Sequence, residues 1–317
     1  MAGYAVILFF VLSGFLITFL LQTEKKKFKK VDLSKFYLRR IFRIWPIYYL
    51  ILIITVILVK ANIVSSNPHN FLTFIIFSLL LSNVGYSFGL GIINIIPLWS
   101  IGVEEQFYLC WPYVVNRSTN ILRSLIFIVL GYLAIKIILR FLENGVYYNF
   151  VTTSAFDSMA IGGIGSYLVF TNNKALQILY KPIVQIFCMI FFVVSVFYKP
   201  VHIISLFDSE MHSLVYAIII INVGTNPKTL IKIENKAFNF IGKISYGIYI
   251  YHMTVICLLA YFFGNMINTV HKLSLRYFII YFLVIAITVL IAYLSYNYFE
   301  KIFLNIKSRF SKVDSTN

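Results

Sequence analysis

Residues Pro97 to Tyr108 read Pro-Leu-Trp-Ser-Ile-Gly-Val-Glu-Glu-Gln-Phe-Tyr, which sets two adjacent carboxylates in a stretch otherwise apolar enough to lie in a membrane. The chain has only 11 acidic residues in 317, and ionisable groups within a bilayer are costly and usually functional. On a helix, Ser100, Glu104 and Tyr108 are spaced i, i+4, i+8 and share one face, with Phe107 and Trp111 beside them. Glu105 points about 100° away. Buried among hydroxyls, Glu104 either pairs with a cation or holds a proton. A plainer role fits the same spacing, in which Glu104 ties two helices together through a hydrogen bond.

Two other clusters carry chemistry. Arg39, Arg40 and Arg43 lie where a basic loop enters an apolar helix (Phe36-Tyr-Leu-Arg-Arg-Ile-Phe-Arg-Ile-Trp-Pro), and Arg40 and Arg43 share a helical face there. Guanidinium forks suit phosphate groups, although charge alone accounts equally for a helix anchor that sets topology. Of five histidines, His252 in Tyr246-Gly-Ile-Tyr-Ile-Tyr-His is the one inside a strong apolar span. A lone histidine among aromatics is usually a packing residue. Yet Glu104 falls roughly 9 Å below the outer end of its helix and His252 roughly 15 Å above the inner end of its own. In a hydrocarbon core of roughly 30 Å, the two depths differ by about 6 Å.

These side chains must be held by membrane helices. Hydrophobic residues make up 60% of the chain and charged residues 12%, against roughly 25% charged in a soluble domain. The fold expected is all-α, a polytopic membrane helix bundle. The formal charge is +16, but the basic residues cluster between apolar runs, nine of them from Lys25 to Arg43. That pattern marks cytoplasmic loops rather than a nucleic-acid face, and Lys25 to Lys30 reads as a solvated run facing anionic lipid. Cys110, Cys188 and Cys257 all lie in apolar runs without metal-ligand spacing, so neither a disulfide framework nor a metal site is expected. The first 22 residues hold no Lys or Arg and lead to no small-residue cleavage site, so they read as a retained membrane segment.

At about 20 residues per crossing, spans are predicted at 4 to 22, 42 to 60, 98 to 116, 122 to 142, 155 to 171, 183 to 199, 212 to 224, 242 to 263 and 276 to 298. The run 71 to 96 is also apolar but holds Asn83, Gly85, Gly89, Gly91 and Asn94, which suits a re-entrant or interfacial segment. If it does not cross, one side collects 21 of the 27 basic residues. The positive-inside rule then gives nine crossings with a cytoplasmic C-terminus. Gly162, Gly163, Gly165 and Ser166 read as small residues for close helix packing.

Five segments, in order, resemble the acyltransferase 3 family of membrane O-acyltransferases. They are Phe9-Phe-Val-Leu-Ser-Gly-Phe-Leu-Ile-Thr18, Arg39-Arg-Ile-Phe-Arg-Ile-Trp-Pro46, Trp99-Ser-Ile-Gly-Val-Glu-Glu-Gln-Phe-Tyr108, Ser245-Tyr-Gly-Ile-Tyr-Ile-Tyr-His252 and Tyr298-Phe-Glu-Lys301. The resemblance implies a ten-helix domain over residues 1 to 303, followed by a short basic cytoplasmic tail from 304 to 317. The resemblance also implies a place in the bacterial cytoplasmic membrane. It implies transfer of an acyl group, most often acetyl from acetyl-CoA, to a hydroxyl of a cell-surface polysaccharide such as O-antigen or of its lipid-linked precursor. The acyl-CoA is a co-substrate, with no bound cofactor and no metal. Carried onto this sequence, the family pattern puts Arg40 and Arg43 near the CoA phosphates. Glu104 and His252 become the catalytic candidates, and Ser13, Trp99, Ser100 and Tyr108 line the site.

Departures matter as well. Relative to the family, the chain starts just after the first helix, which carries an Arg and a His regarded as catalytic. Ile7 replaces a usual acidic residue, and Ala155 stands where many members have Arg. A sugar hydroxyl needs a base as it attacks a thioester, and neither Glu104 nor His252 matches the family's base. The expectation is therefore a start upstream of Met1 or an interrupted reading frame, with a shortened and inactive paralogue as the alternative. Two other functions stay open. One is a transporter or flippase of lipid-linked sugar, suggested by the intramembrane carboxylates, and the other an inactive scaffold in polysaccharide assembly.

Overall fold

The computed structural model describes residues 2–65, 70–198, 206–268 and 272–310, and every regular element among them is helical. In order these are α1 (Ala2–Phe28), α2 (Leu33–Lys60), α3 (Asn70–Ser78), α4 (Ser82–Ser87), a 3₁₀ turn (Ile93–Ile95), α5 (Leu98–Arg117), α6 (Ile121–Phe141), α7 (Gly145–Ser154) and α8 (Phe156–Phe170). Then follow α9 (Ala175–Leu179), α10 (Pro182–Val193) with a π-helical end (Val194–Tyr198), α11 (Asp208–Thr225), α12 (Lys236–Asn268), α13 (Leu273–Ser295), a π-helical turn (Tyr296–Glu300) and α14 (Lys301–Ser308). A lipid environment leaves the backbone no water to bond with, so helices, which satisfy themselves, are the expected solution.

Five helices among the described residues are long and apolar enough to cross a membrane: Ala5–Phe28, Leu33–Lys60, Ile121–Phe141, Lys236–Met266 and Leu273–Ser308. The other predicted spans fall on α5, α8, α10 and α11, which are shorter or more polar. Large apolar side chains such as Phe127 and Phe278 face outward, both 67% exposed, as lipid-facing surfaces require. The run 71 to 96 is broken into α3, α4 and the 3₁₀ turn, none long enough to cross. Several helices overrun the predicted spans, and α2 begins at Leu33 rather than 42. Hydropathy marks where lipid ends, whereas the backbone ladder continues for as long as its residues tolerate it.

The chain folds as two compact units, one of Met1–Leu33 with Val103–Ile233 and the other of Ser34–Gly102 with Glu234–Asn317. In the first, α1 packs most extensively on α8, and α6 and α11 also pack against α8. The sequence permits this closeness. A Cβ on Gly14 would lie 2.0 Å from the Met159 carbonyl oxygen, and one on Gly162 would lie 2.0 Å from that of Val11. Without a hydrophobic drive between helices in lipid, such backbone-to-backbone packing is what holds them together. Between α7 and α8, Ala155 takes φ 41°, a left-handed conformation unusual for a residue with a Cβ. In the second unit, α12 packs along α13, where Gly247 admits Ala292 closely.

Candidate functional site

In the first unit, α1 presents Ser13 to α5. The Ser13 hydroxyl donates to Oε1 of Glu104, the Tyr108 hydroxyl donates to the same oxygen, and the two hydroxyls also touch. All three side chains are buried, Glu104 at 7% exposure. The register follows from the neighbours. Gly14 brings the backbone of α1 against α8, and Trp111, one turn beyond Tyr108 at i+3, donates from its indole N–H to Thr18 at 2.9 Å. Phe107 stacks on Trp111 with ring centroids 5.6 Å apart, and its apolar ring helps to close the cluster. A carboxylate receiving two hydroxyl donors in an apolar setting is a strong acceptor. It is equipped to bind a third hydroxyl or to take its proton. The predicted i, i+4 pairing of Glu104 with Tyr108 is present. So is the helix-tying bond, to Ser13.

Ser100 sits one turn earlier on α5, within the second unit, and bonds elsewhere. Its hydroxyl lies 2.7 Å from that of Tyr249 on α12, which also donates to the Pro97 carbonyl at 3.0 Å. The next turn of α12 brings His252, half-buried, with Nδ1 2.6 Å from the Tyr249 carbonyl. A carbonyl can only accept, so that bond requires the proton on Nδ1 and leaves the lone pair of the neutral ring on Nε2. Asn94 of the 3₁₀ turn, fully buried, donates to Thr55 at 2.7 Å and reaches Thr254 at 3.5 Å, which pins the broken segment between α2 and α12. Trp99 stacks on Tyr86 of α4 at 5.6 Å.

The arginines also belong to the second unit. Arg40 lies with its guanidinium 5.6 Å from the Phe36 ring centre, and Arg43 is exposed. The structure thus groups Ser13, Glu104 and Tyr108 in one unit, and Arg40, Arg43, Trp99, Ser100 and His252 in the other. Lys25 departs from the solvated run expected at 25 to 30. Its ammonium donates to the Val115 and Ser118 carbonyls at 2.7 and 2.8 Å, capping the end of α5, where the helix dipole favours a cation.

A model of the acyltransferase 3 family (Acyl_transf_3, acyltransferase domain) matches residues 1–297. The chain belongs to this family. Among curated relatives, the O-acetyltransferase OatA of Staphylococcus aureus (strain NCTC 8325 / PS 47) is 26% identical over 92% of this chain and 51% of its own length. The peptidoglycan O-acetyltransferase OatA of Listeria monocytogenes serovar 1/2a is 28% identical over 79% of this chain and 44% of its own. The chain therefore spans about half the length of the curated relatives it matches. No solved structure matches it.

One buried cluster in this acyltransferase domain escaped the sequence reading. Lys136 of α6, 1% exposed, binds Asp157 of α8 and donates to Glu210 of α11 at 2.7 Å, while Ser209 donates to the other Glu210 oxygen at 3.0 Å. Asp157 Oδ1 also accepts the Ser158 N–H at 2.9 Å. Asp157 lies two residues after Ala155 and finds its cationic partner, Lys136, on another helix. The signal was available as single charges, Lys136 and Asp157, each inside an apolar span. Sequence spacing gives no hint that residues 136, 157 and 210 meet.

Proposed function

We propose that the chain is the membrane domain of an O-acetyltransferase that moves an acetyl group from acetyl-CoA to a hydroxyl of a bacterial cell-wall glycan, with peptidoglycan the favoured acceptor. The observation that carries this is the buried Ser13–Glu104–Tyr108 cluster lying in two of the family's motifs. The relatives' names supply the reaction and, for the Listeria protein, the acceptor.

In the reaction, the sugar oxygen bonds to the thioester carbonyl carbon, the C–S bond breaks to release the coenzyme A thiolate, and the hydroxyl proton passes to a protein base and on to that thiolate. Glu104 is the group proposed to receive the acceptor hydroxyl, because it already binds hydroxyls in an apolar enclosure. His252, with its lone pair on Nε2, is the second proton acceptor proposed. Arg40 and Arg43 are proposed to hold the CoA phosphates through their planar forks. Trp99 and Ser100 are proposed to line the second unit's part of the machinery. Positive-inside counting supports nine crossings, with the α3–α4 segment not crossing and the C-terminus in the cytoplasm of a bacterial inner membrane.

The test uses membranes carrying the protein, radiolabelled acetyl-CoA and cell-wall glycan. Label should enter base-labile ester on the glycan, and Glu104→Gln should lower the rate by about 10²-fold or more, the range for loss of a positioned proton acceptor. Labelling unchanged in both Glu104→Gln and Arg43→Ala would overturn the proposal.

A further inference from the structure

A cavity of about 360 Å³ lies in the first unit, where the end of α1 meets the loop between α5 and α6 and the end of α8. Ligand pockets start at roughly 300 Å³. Gln22, on the cavity wall, lies nine residues beyond Ser13 on α1, roughly 13 Å of helix, so the cavity is apart from the hydroxyl cluster. Lys25 and Lys26 both line it, and no acidic side chain is among the lining residues. The Lys25 ammonium donates two of its three protons to the Val115 and Ser118 carbonyls, which leaves the third for a ligand. The Lys26 ammonium is set over the Phe170 ring, 5.4 Å from its centre, and that ring meets Phe19 edge-on at 6.1 Å.

The first turn of α6 forms another side of the cavity through Ile121. Asn120 caps this helix, its side-chain oxygen accepting from the Arg123 N–H at 3.1 Å. The N–H groups of Ile121 and Leu122 have no carbonyl within the helix to bind, and the positive end of the helix dipole lies there. Further donors come from α1. Gln22 is 4% exposed and lines the cavity, yet its one hydrogen bond among the described residues is accepted by Oε1, from Ser166 at 3.4 Å. Its amide nitrogen keeps two N–H donors for a ligand, and a buried amide that binds nothing is costly.

We propose that this cavity binds a phosphate ester. Two ammonium groups, the Gln22 amide, the Thr119 hydroxyl and the first N–H groups of α6 all border it. Together they offer more donors than the about four lone-pair sites of a carboxylate accept. A phosphate has oxygens enough for them, and a helix N-terminus with lysines is a setting it favours. Phe170 and Ile121 supply apolar wall for the organic part of the ester. Two sources present this chemistry: an anionic phospholipid headgroup, which basic pockets at cytoplasmic helix ends take up, and a soluble ester such as coenzyme A. The site stands independently of the roles proposed for Arg40 and Arg43, which belong to the other unit.

The test uses the full chain in nanodiscs of phosphatidylcholine, titrated calorimetrically with coenzyme A. A second set of discs also contains phosphatidylglycerol, and mass spectrometry counts the phosphatidylglycerol retained by the extracted protein. Thr119 is exposed, and Thr119→Glu sets a carboxylate just ahead of α6, where the helix dipole favours it and where it repels an incoming phosphate. That variant should pass gel filtration and lose about 10-fold or more in binding, the worth of one charge-assisted bond. Thr119→Gln, of the same size but uncharged, should stay within about 3-fold of wild type. A loss confined to phosphatidylglycerol assigns the site to lipid, and a loss confined to coenzyme A assigns it to the soluble ester. If Thr119→Glu fails to fold, Lys26→Gln decides, with an expected loss of about 3-fold or more. The proposal is overturned if the folded variant binds both ligands as wild type does, if Thr119→Gln loses as much as Thr119→Glu, or if the wild type binds neither ligand.

Discussion

Glu104 is an acceptor with two donors already in place, and that arrangement makes its substitutions informative. Glu104→Gln keeps the size and one acceptor oxygen but loses the charge, so the protein should fold while glycan acetylation falls; a rate assay on purified protein separates this from misfolding. Ser13→Ala removes one of the two hydroxyl donors to Glu104 and should cost activity less than Glu104→Gln does, as paired rate measurements would reveal. Lys136 stands apart from this chemistry. Lys136→Met leaves Asp157 and Glu210 buried without their cation, a type of change that costs about 3–5 kcal/mol, and should appear as a large fall in thermal stability in detergent. Replacing Lys136, Asp157 and Glu210 together by apolar residues of similar size should recover most of that loss. Among these residues, Glu104 was legible because its neighbours in sequence are its neighbours on the helix. The salt-bridged trio was not, since each member comes from a different helix.

At the level of elements, the α1–α8 crossing is the tightest constraint in the first unit. Gly162→Ala would drive a Cβ to 2.0 Å from the Val11 carbonyl oxygen, and backbone cannot yield as a flexible side chain does. The expected result is a loss of several kcal/mol, in the range of a severe core substitution, together with loss of the Ser13–Glu104 bond. A fall in melting temperature much larger than that of Gly131→Ala, where a Cβ would meet nothing within 4 Å, checks it. Ala155 offers the opposite case. Its left-handed backbone favours glycine, so Ala155→Gly should be tolerated or slightly stabilising, whereas Ala155→Val should destabilise. Hydropathy located the helices well and their ends poorly. The glycines announced close packing, but nothing in their spacing said that Gly14 would meet Met159 and Gly162 would meet Val11.

For the whole molecule, the two units divide the predicted site residues between them, and the broken α3–α4 segment belongs wholly to the second. If that segment does not cross, a single cysteine introduced at Ser308 should react with impermeant maleimide only from the cytoplasmic side, in a version lacking the native cysteines. The strong excess of basic residues makes this orientation the expected one. By itself the sequence determined the class of fold, because 60% hydrophobic residues in helix-length runs have no soluble solution. It also determined the family, because motif residues are local and survive in linear order. Tertiary structure decided which polar groups meet: Ser13 with Glu104, Tyr249 with Ser100, Lys136 with Asp157 and Glu210, and Phe310 with Arg39. Those pairings join residues 21 to 271 positions apart. In an apolar interior, a polar group takes whichever partner the packing delivers, and packing is a property of the fold.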